Sequence, residues 1–127
     1  MEVLYIDVHA DSAQKLMDAV AQVDSGCAIR HVGGLREAMD ALNHSTPDAA
    51  WLNPDLPGTK SGEVISNLLS LWPNLPVIVL PAQADEALAK DALMRGAQDV
   101  LAREGLQPER LLHATRFEDT RCYLVTY

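Results

Sequence analysis

The chain reads as a doubly wound α/β domain, a parallel sheet with helices on both faces. Three observations predict this. Short apolar runs without polar alternation mark strands that are covered on both sides. Each run is followed by a segment whose apolar residues recur at helical spacing. The alternation repeats five times within 127 residues, a length that suits one domain with its own core. Right-handed crossovers between parallel strands then place helices on both faces of the sheet.

Val3-Leu4-Tyr5-Ile6 is the first strand, ended by Asp7. Asp11 and Gln14 offer a capping box for the first helix, whose inner stripe is Ala13, Leu16, Met17, Val20 and Val23. Cys27 to Val32 is the second strand, Gly33-Gly34 a break, and Leu35, Ala38, Met39 and Leu42 the next helical stripe. Asp48 to Leu52 forms the third strand. The loop Asn53-Pro54-Asp55-Leu56-Pro57-Gly58 follows, then a helix facing inward with Val64, Ile65, Leu68, Leu69 and Trp72. Pro76 to Leu80 is the most strand-like run, and Leu88, Ala89, Ala92 and Leu93 mark the helix after it. Asp99 to Ala102 is the fifth strand. The last helix opens at Pro108, where a missing amide hydrogen does no harm, with Leu111 and Thr115 inward. Residues 1–120 form the domain, and 121–127 read as a tail or the start of a linker.

Composition narrows the function. Hydrophobic residues at 48% and charged residues at 22% are globular values and argue against disorder. A formal net charge of −8 works against direct nucleic-acid binding, which needs clustered cations. The opening segment has no basic leader and too short an apolar run for a signal peptide or membrane span, so a cytoplasmic protein without membrane contact is expected. Cys27 and Cys122 lie far apart and signal neither zinc nor a redox pair. The histidines at 9, 31, 44 and 113 lack metal-ligand spacing and read as solvated or loop residues; Trp51 and Trp72 read as packing.

Ligands of doubly wound sheets sit beyond the carboxyl ends of the strands, so those ends are the candidate site: Asp7-Val8-His9, Asn53, Pro81-Ala82 and Arg103. There the chain resembles the receiver domains of bacterial two-component response regulators, across residues 2 to 120. The resemblance rests on Val3 to His9, Pro47 to Gly58, Pro76 to Ala82 and Gly96 to Arg103, in order and at compatible spacing. It implies a flavodoxin-like strand order, 2-1-3-4-5. It also implies a phosphoacceptor aspartate, two magnesium-holding acids, a switch hydroxyl, a switch aromatic and a lysine.

The chain departs from that set. Asn53 stands at the phosphoacceptor position, Val8 replaces one of the paired acids beside Asp7, and Pro81 replaces the switch hydroxyl. Val100 stands at the aromatic switch position, and Arg103 keeps the lysine's charge as a planar fork. The loop after Pro57 is one residue longer than the common family form. No catalytic residue, cofactor or metal site is expected, and Asp7 alone should bind magnesium weakly or not at all. An Asp7–Arg103 pair across the crevice is the favoured arrangement.

The expected function is a phosphorylation-independent receiver-like module of a larger bacterial signalling protein. It would act through protein contacts or dimerisation and not as an enzyme. By resemblance, the partner face is that of the fourth helix, fifth strand and fifth helix, with Met94, Val100 and Phe117 as contact residues. Two alternatives accompany it. The crevice around Asp7, Asn53, Pro81 and Arg103 could sense a small anion or metabolite, or Asp55 could serve as a non-standard phosphoacceptor.

Overall fold

A computed structural model describes residues 1–56, 58 and 60–116. Phe117, Cys122 and the tail 121–127 lie outside the described residues. The described elements are β1 (Glu2–Ile6), α1 (Ala10–Val23), β2 (Ala28–Val32), α2 (Leu35–His44), β3 (Ala49–Leu52), α3 (Ser61–Leu71), β4 (Val77–Val79), α4 (Glu86–Met94), β5 (Asp99–Val100) and α5 (Pro108–Arg116). All strand pairs are parallel and the sheet order is β2-β1-β3-β4-β5, the order the resemblance implied.

Each strand contributes side chains alternately to two cores, following the period of two along a pleated strand. Leu4, Ile6, Ala50, Leu52, Val77 and Val79 face one layer together with Ala38, Leu42, Val64, Ile65, Leu68 and Ala92 of α2, α3 and α4. Val3, Tyr5, Trp51, Ile78, Leu80 and Leu101 face the other, against Ala13 and Val20 of α1 and Leu111 and Leu112 of α5. This parity decides where the site residues point. Continued past the strand ends, it puts Tyr5, Asp7, Trp51, Asn53, Leu101 and Arg103 on the α1/α5 side. Val8 and Pro81 fall on the opposite side.

Several expected details change. Helix α1 begins at Ala10 with His9 as its N-cap and no side-chain cap, so Asp11 lies inside the first turn, where the helix dipole favours an acid. The Asp11–Gln14 capping box is absent; Gln14 Nε2 donates to Asp18 Oδ1 at 2.8 Å instead. Val23, the last residue of α1, is 46% exposed and does not join the inner stripe. Leu93 is exposed too: Leu88 and Ala92 hold the inward line of α4, and one further residue turns the side chain about 100° away from it. Strand β5 stops at Val100 instead of Ala102, but parallel backbone bonds continue past it, from Leu101 N to Val79 O and from Arg103 N to Pro81 O. Those bonds fix Arg103 beside the crevice.

Two polar links tie the helices down. Arg95 of the α4 C-cap donates to Asp91 Oδ2 at 2.8 Å and to Ser66 Oγ at 2.9 Å, which binds α4 to α3 over Gly62. A Cβ at Gly62 would lie 2.6 Å from Arg95 Nε and 2.8 Å from Asp91 Oδ2, so a larger residue there would displace the Arg95–Asp91 pair. Arg116 and Asp24 pair between α5 and the end of α1. Cys27 is buried and free, and burial pushes its thiol pKa up.

Candidate functional site

The parallel register carries Asp7 and Asn53 side by side at the sheet's carboxyl edge: Asp7 N donates to Val32 O at 3.0 Å and Asn53 N to Ile6 O at 2.9 Å. Asp7, Asn53 and Tyr5 are all fully buried. A buried carboxylate persists only when its oxygens are satisfied, and those of Asp7 are. Oδ1 accepts from His9 N at 2.8 Å and from Asn53 Nδ2 at 3.0 Å. Oδ2 accepts from the Tyr5 hydroxyl at 2.9 Å and faces Arg103 Nη1 at 3.7 Å.

The orientation of Asn53 follows from charge. Its amide nitrogen points to the carboxylate, and its Oδ1 accepts from Asp55 N at 3.0 Å, which shapes the turn after β3. Reversing the amide would set an oxygen against Asp7 and a nitrogen against a backbone N–H.

Tyr5 was read from sequence only as strand filler, yet it is a member of this network. It shares a face with Asp7 because the two are separated by one residue on a strand. Its ring meets those of Trp51 and His31 edge to face, each at 6.1 Å between centroids. Trp51 Nε1 in turn donates to Thr115 Oγ1 at 3.0 Å, and Thr115 Oγ1 donates to Leu111 O at 2.6 Å. A continuous buried path therefore runs from Asp7 through Tyr5 and Trp51 to α5. His31 corrects the reading of all four histidines as solvated or loop residues: it sits on β2, opposite Tyr5, and its Nε2 donates to the Asp7 carbonyl at 2.7 Å.

Burial first, then the charge and hydrogen bond of Asp7, raise the Tyr5 hydroxyl pKa above its ordinary value of 10.0; Arg103 draws it partly back. The folded chain therefore holds this proton more tightly than the unfolded chain. The stabilisation is full below pH 10.0 and is lost as pH rises beyond it. Tyr5→Phe is expected to lower stability at neutral pH by about 1.5–3 kcal/mol, the range for a lost hydrogen bond to a charged group. It should also flatten the alkaline fall in urea midpoint. An unchanged alkaline profile would show that Tyr5 does not carry it.

Magnesium is the ion that the fold family implies, and the residues present do not fit it. Both Asp7 oxygens already face donors, Asn53 turns an N–H inward, and Val8 is an aliphatic side chain 37% exposed at the rim. Among the described residues, no group of three or more His, Cys, Asp or Glu could hold a metal ion.

The remaining positions separate. Pro81 is buried and lines an open cleft with Pro54, Asp55, Ala82, Asp85 and Leu88, whereas Arg103 lines a different cleft toward α1. The four residues Asp7, Asn53, Pro81 and Arg103 therefore do not line one accessible opening. Asp55 is exposed, in a cleft whose lining holds no cation to meet a phosphoryl group. Val100 is half-buried against the core, and Met94 is 80% exposed on α4.

This sheet order, with Asp7 and Asn53 side by side at its carboxyl edge, is that of a flavodoxin-like domain. The chain belongs to the response regulator receiver domain family, whose model matches residues 3–116. It is 26% identical over 112 residues to the chemotaxis protein CheY of Thermotoga maritima, covering 88% of this chain and 92% of that protein. It is 33% identical over 76 residues to the luminescence regulatory protein LuxO of Vibrio campbellii, covering 60% of this chain but only 17% of LuxO. A response regulator receiver domain protein from Clostridium thermocellum superposes with a TM-score of 0.80 at 18% identity, covering 98% of each chain. The described residues contain no helix long and apolar enough to cross a membrane.

Proposed function

We propose that this receiver domain signals without aspartyl phosphorylation, through protein contacts made by a fold whose crevice is held closed from within. The observation that carries the reading is the hydrogen bond from Asn53 Nδ2 to Asp7 Oδ1 at 3.0 Å. It supports the reading in which Asn53, at the proposed phosphoacceptor position, offers a non-nucleophilic amide and occupies the acid Asp7 with its N–H. Phosphoryl transfer in receivers depends on a carboxylate nucleophile and on charge neutralisation by metal and cation. Here nucleophile, second acid, switch hydroxyl and switch aromatic are replaced together, by Asn53, Val8, Pro81 and Val100.

The α4–β5–α5 side is the proposed contact face. Met94 and Leu93 are exposed there, at 80% and 37%, beside half-buried Val100. Met94, the more exposed of the two, is the apolar side chain that this face would offer to a protein partner or a second copy. We also propose that the domain serves as the regulatory part of a larger signalling protein. The size of LuxO relative to the matched segment supports this, while the near-full match to CheY supports a free-standing domain as the alternative.

The test is incubation with magnesium and acetyl phosphate, read by intact mass and by solution mass. The reading expects no phosphoryl adduct and no change in association state. A stoichiometric adduct that hydroxylamine removes, as it does an acyl phosphate, would overturn it.

A further inference from the structure

We propose that the cleft between α1 and the β5–α5 connection binds a small organic anion with an apolar body, at a site separate from the crevice beside Asn53. The cleft is open to solvent and has a volume of about 470 Å³, within the size range of small-molecule sites. Helix α1 supplies one wall: Ser12, Lys15 and Leu16 recur at helical spacing and so share one face. Arg103, Glu104 and Leu106 supply the other.

Charge selects the ligand. Lys15 and Arg103 line the cleft with one acid, Glu104, and Arg103 also faces the buried Asp7 at 3.7 Å, so Lys15 is the cation free to meet an anion in a chain whose formal net charge is −8. The acid-lined mouth by Asp55 and Asp85 has two carboxylates and no cation, so an anion is steered to the α1 side. Arg103 is also incompletely used: its Nε is shielded from solvent with no hydrogen-bond partner, and Nη1 stands 3.7 Å from Asp7. A guanidinium and an ammonium lining the same cleft suit a carboxylate or phosphate head. Among the described residues, the side chains of Ser12 and Lys15 have no hydrogen-bond or ion-pair partner. Leu16, Ala19 and Leu106 give the cleft an apolar lining, which favours a body of hydrocarbon over a bare inorganic anion. The site does not depend on how the Asn53 crevice behaves toward phosphodonors.

The experiment titrates the full chain, labelled with nitrogen-15, with octanoate. Inorganic phosphate, 1-octanol and octyl phosphate form the other arms. Octanoate or octyl phosphate should give saturable amide shifts at Ser12, Lys15, Leu16 and Leu106, and the tighter of the two names the head group. Phosphate alone and octanol should bind at least about tenfold more weakly, since each lacks half of the recognition. Lys15→Glu should weaken binding about tenfold while the Trp51 indole signal, a marker of the intact core, stays in place. Non-saturating shifts, shifts centred on Asp55 and Ala84, wild-type affinity in Lys15→Glu, or phosphate or octanol binding as tightly as the amphipathic anions would each overturn the proposal.

Discussion

Asp7→Ala is expected to destabilise the domain by about 3–5 kcal/mol, the range for removing one partner of a buried, hydrogen-bonded ion pair. The loss leaves the Tyr5 hydroxyl, the Asn53 amide and His9 N without their acceptor, and Arg103 without its counter-charge. The sign is what makes the variant informative. In a pocket of several acids, two carboxylates about 4 Å apart repel by about 4 kcal/mol at an effective dielectric of 20, so removing one relieves strain. In this chain the single acid is surrounded by donors, and removing it creates strain. Urea unfolding of wild type and variant measures the difference; a neutral or stabilising Asp7→Ala would show that the donors do not hold the pocket.

Asn53→Asp is expected to have a comparable effect through the opposite change. It exchanges the donor that sits 3.0 Å from Asp7 Oδ1 for a second carboxylate oxygen, with the Asp55 amide still bonded to the other side. The lost hydrogen bond and the new repulsion together are expected to cost about 3–4 kcal/mol at neutral pH and low salt. Acid should relieve the cost, because protonating either carboxyl of the pair turns repulsion into a hydrogen bond. Magnesium should relieve it as well, since the variant regains the two carboxylates that the ion uses. Thermal melts with and without magnesium, from neutral to acid pH, separate these effects. A variant as stable as wild type at neutral pH without magnesium would contradict the account.

The fold was legible because its signal is distributed. Apolar strands and helical stripes recur along the chain, and the boundaries that moved did so where one residue decides them, as with the start of α1 or the end of β5. Leu93 was misplaced because its neighbour Ala92 carries the same apolar signal, and only three-dimensional packing selects between them. The strand-end residues Asp7, Asn53 and Pro81 were equally legible as candidates, since each directly follows the apolar run of its strand.

The network around them was not legible. The Tyr5 contact to Asp7 could have been anticipated from their two-residue spacing on a strand, but a tyrosine in an apolar strand reads first as packing. The bond from Trp51 to Thr115 spans 64 residues and depends on how α5 docks. The part of His31 depends on the β1–β2 register, which no local pattern in the sequence specifies. Division of the crevice into an acidic mouth at Asp55 and a cationic cleft at Lys15 and Arg103 likewise follows from which face each strand end presents.

The central claim is that internal donors occupy the place where receivers hold metal and phosphoryl group. Its most direct measurement is a nitrogen-15 amide spectrum of the wild-type chain titrated with magnesium and then with beryllofluoride. No saturable shifts are expected at Asp7, Asn53, Asp55 or Arg103 on either addition. Saturable magnesium binding at Asp7, or a stoichiometric beryllofluoride complex that shifts Asn53 or Asp55, would contradict it.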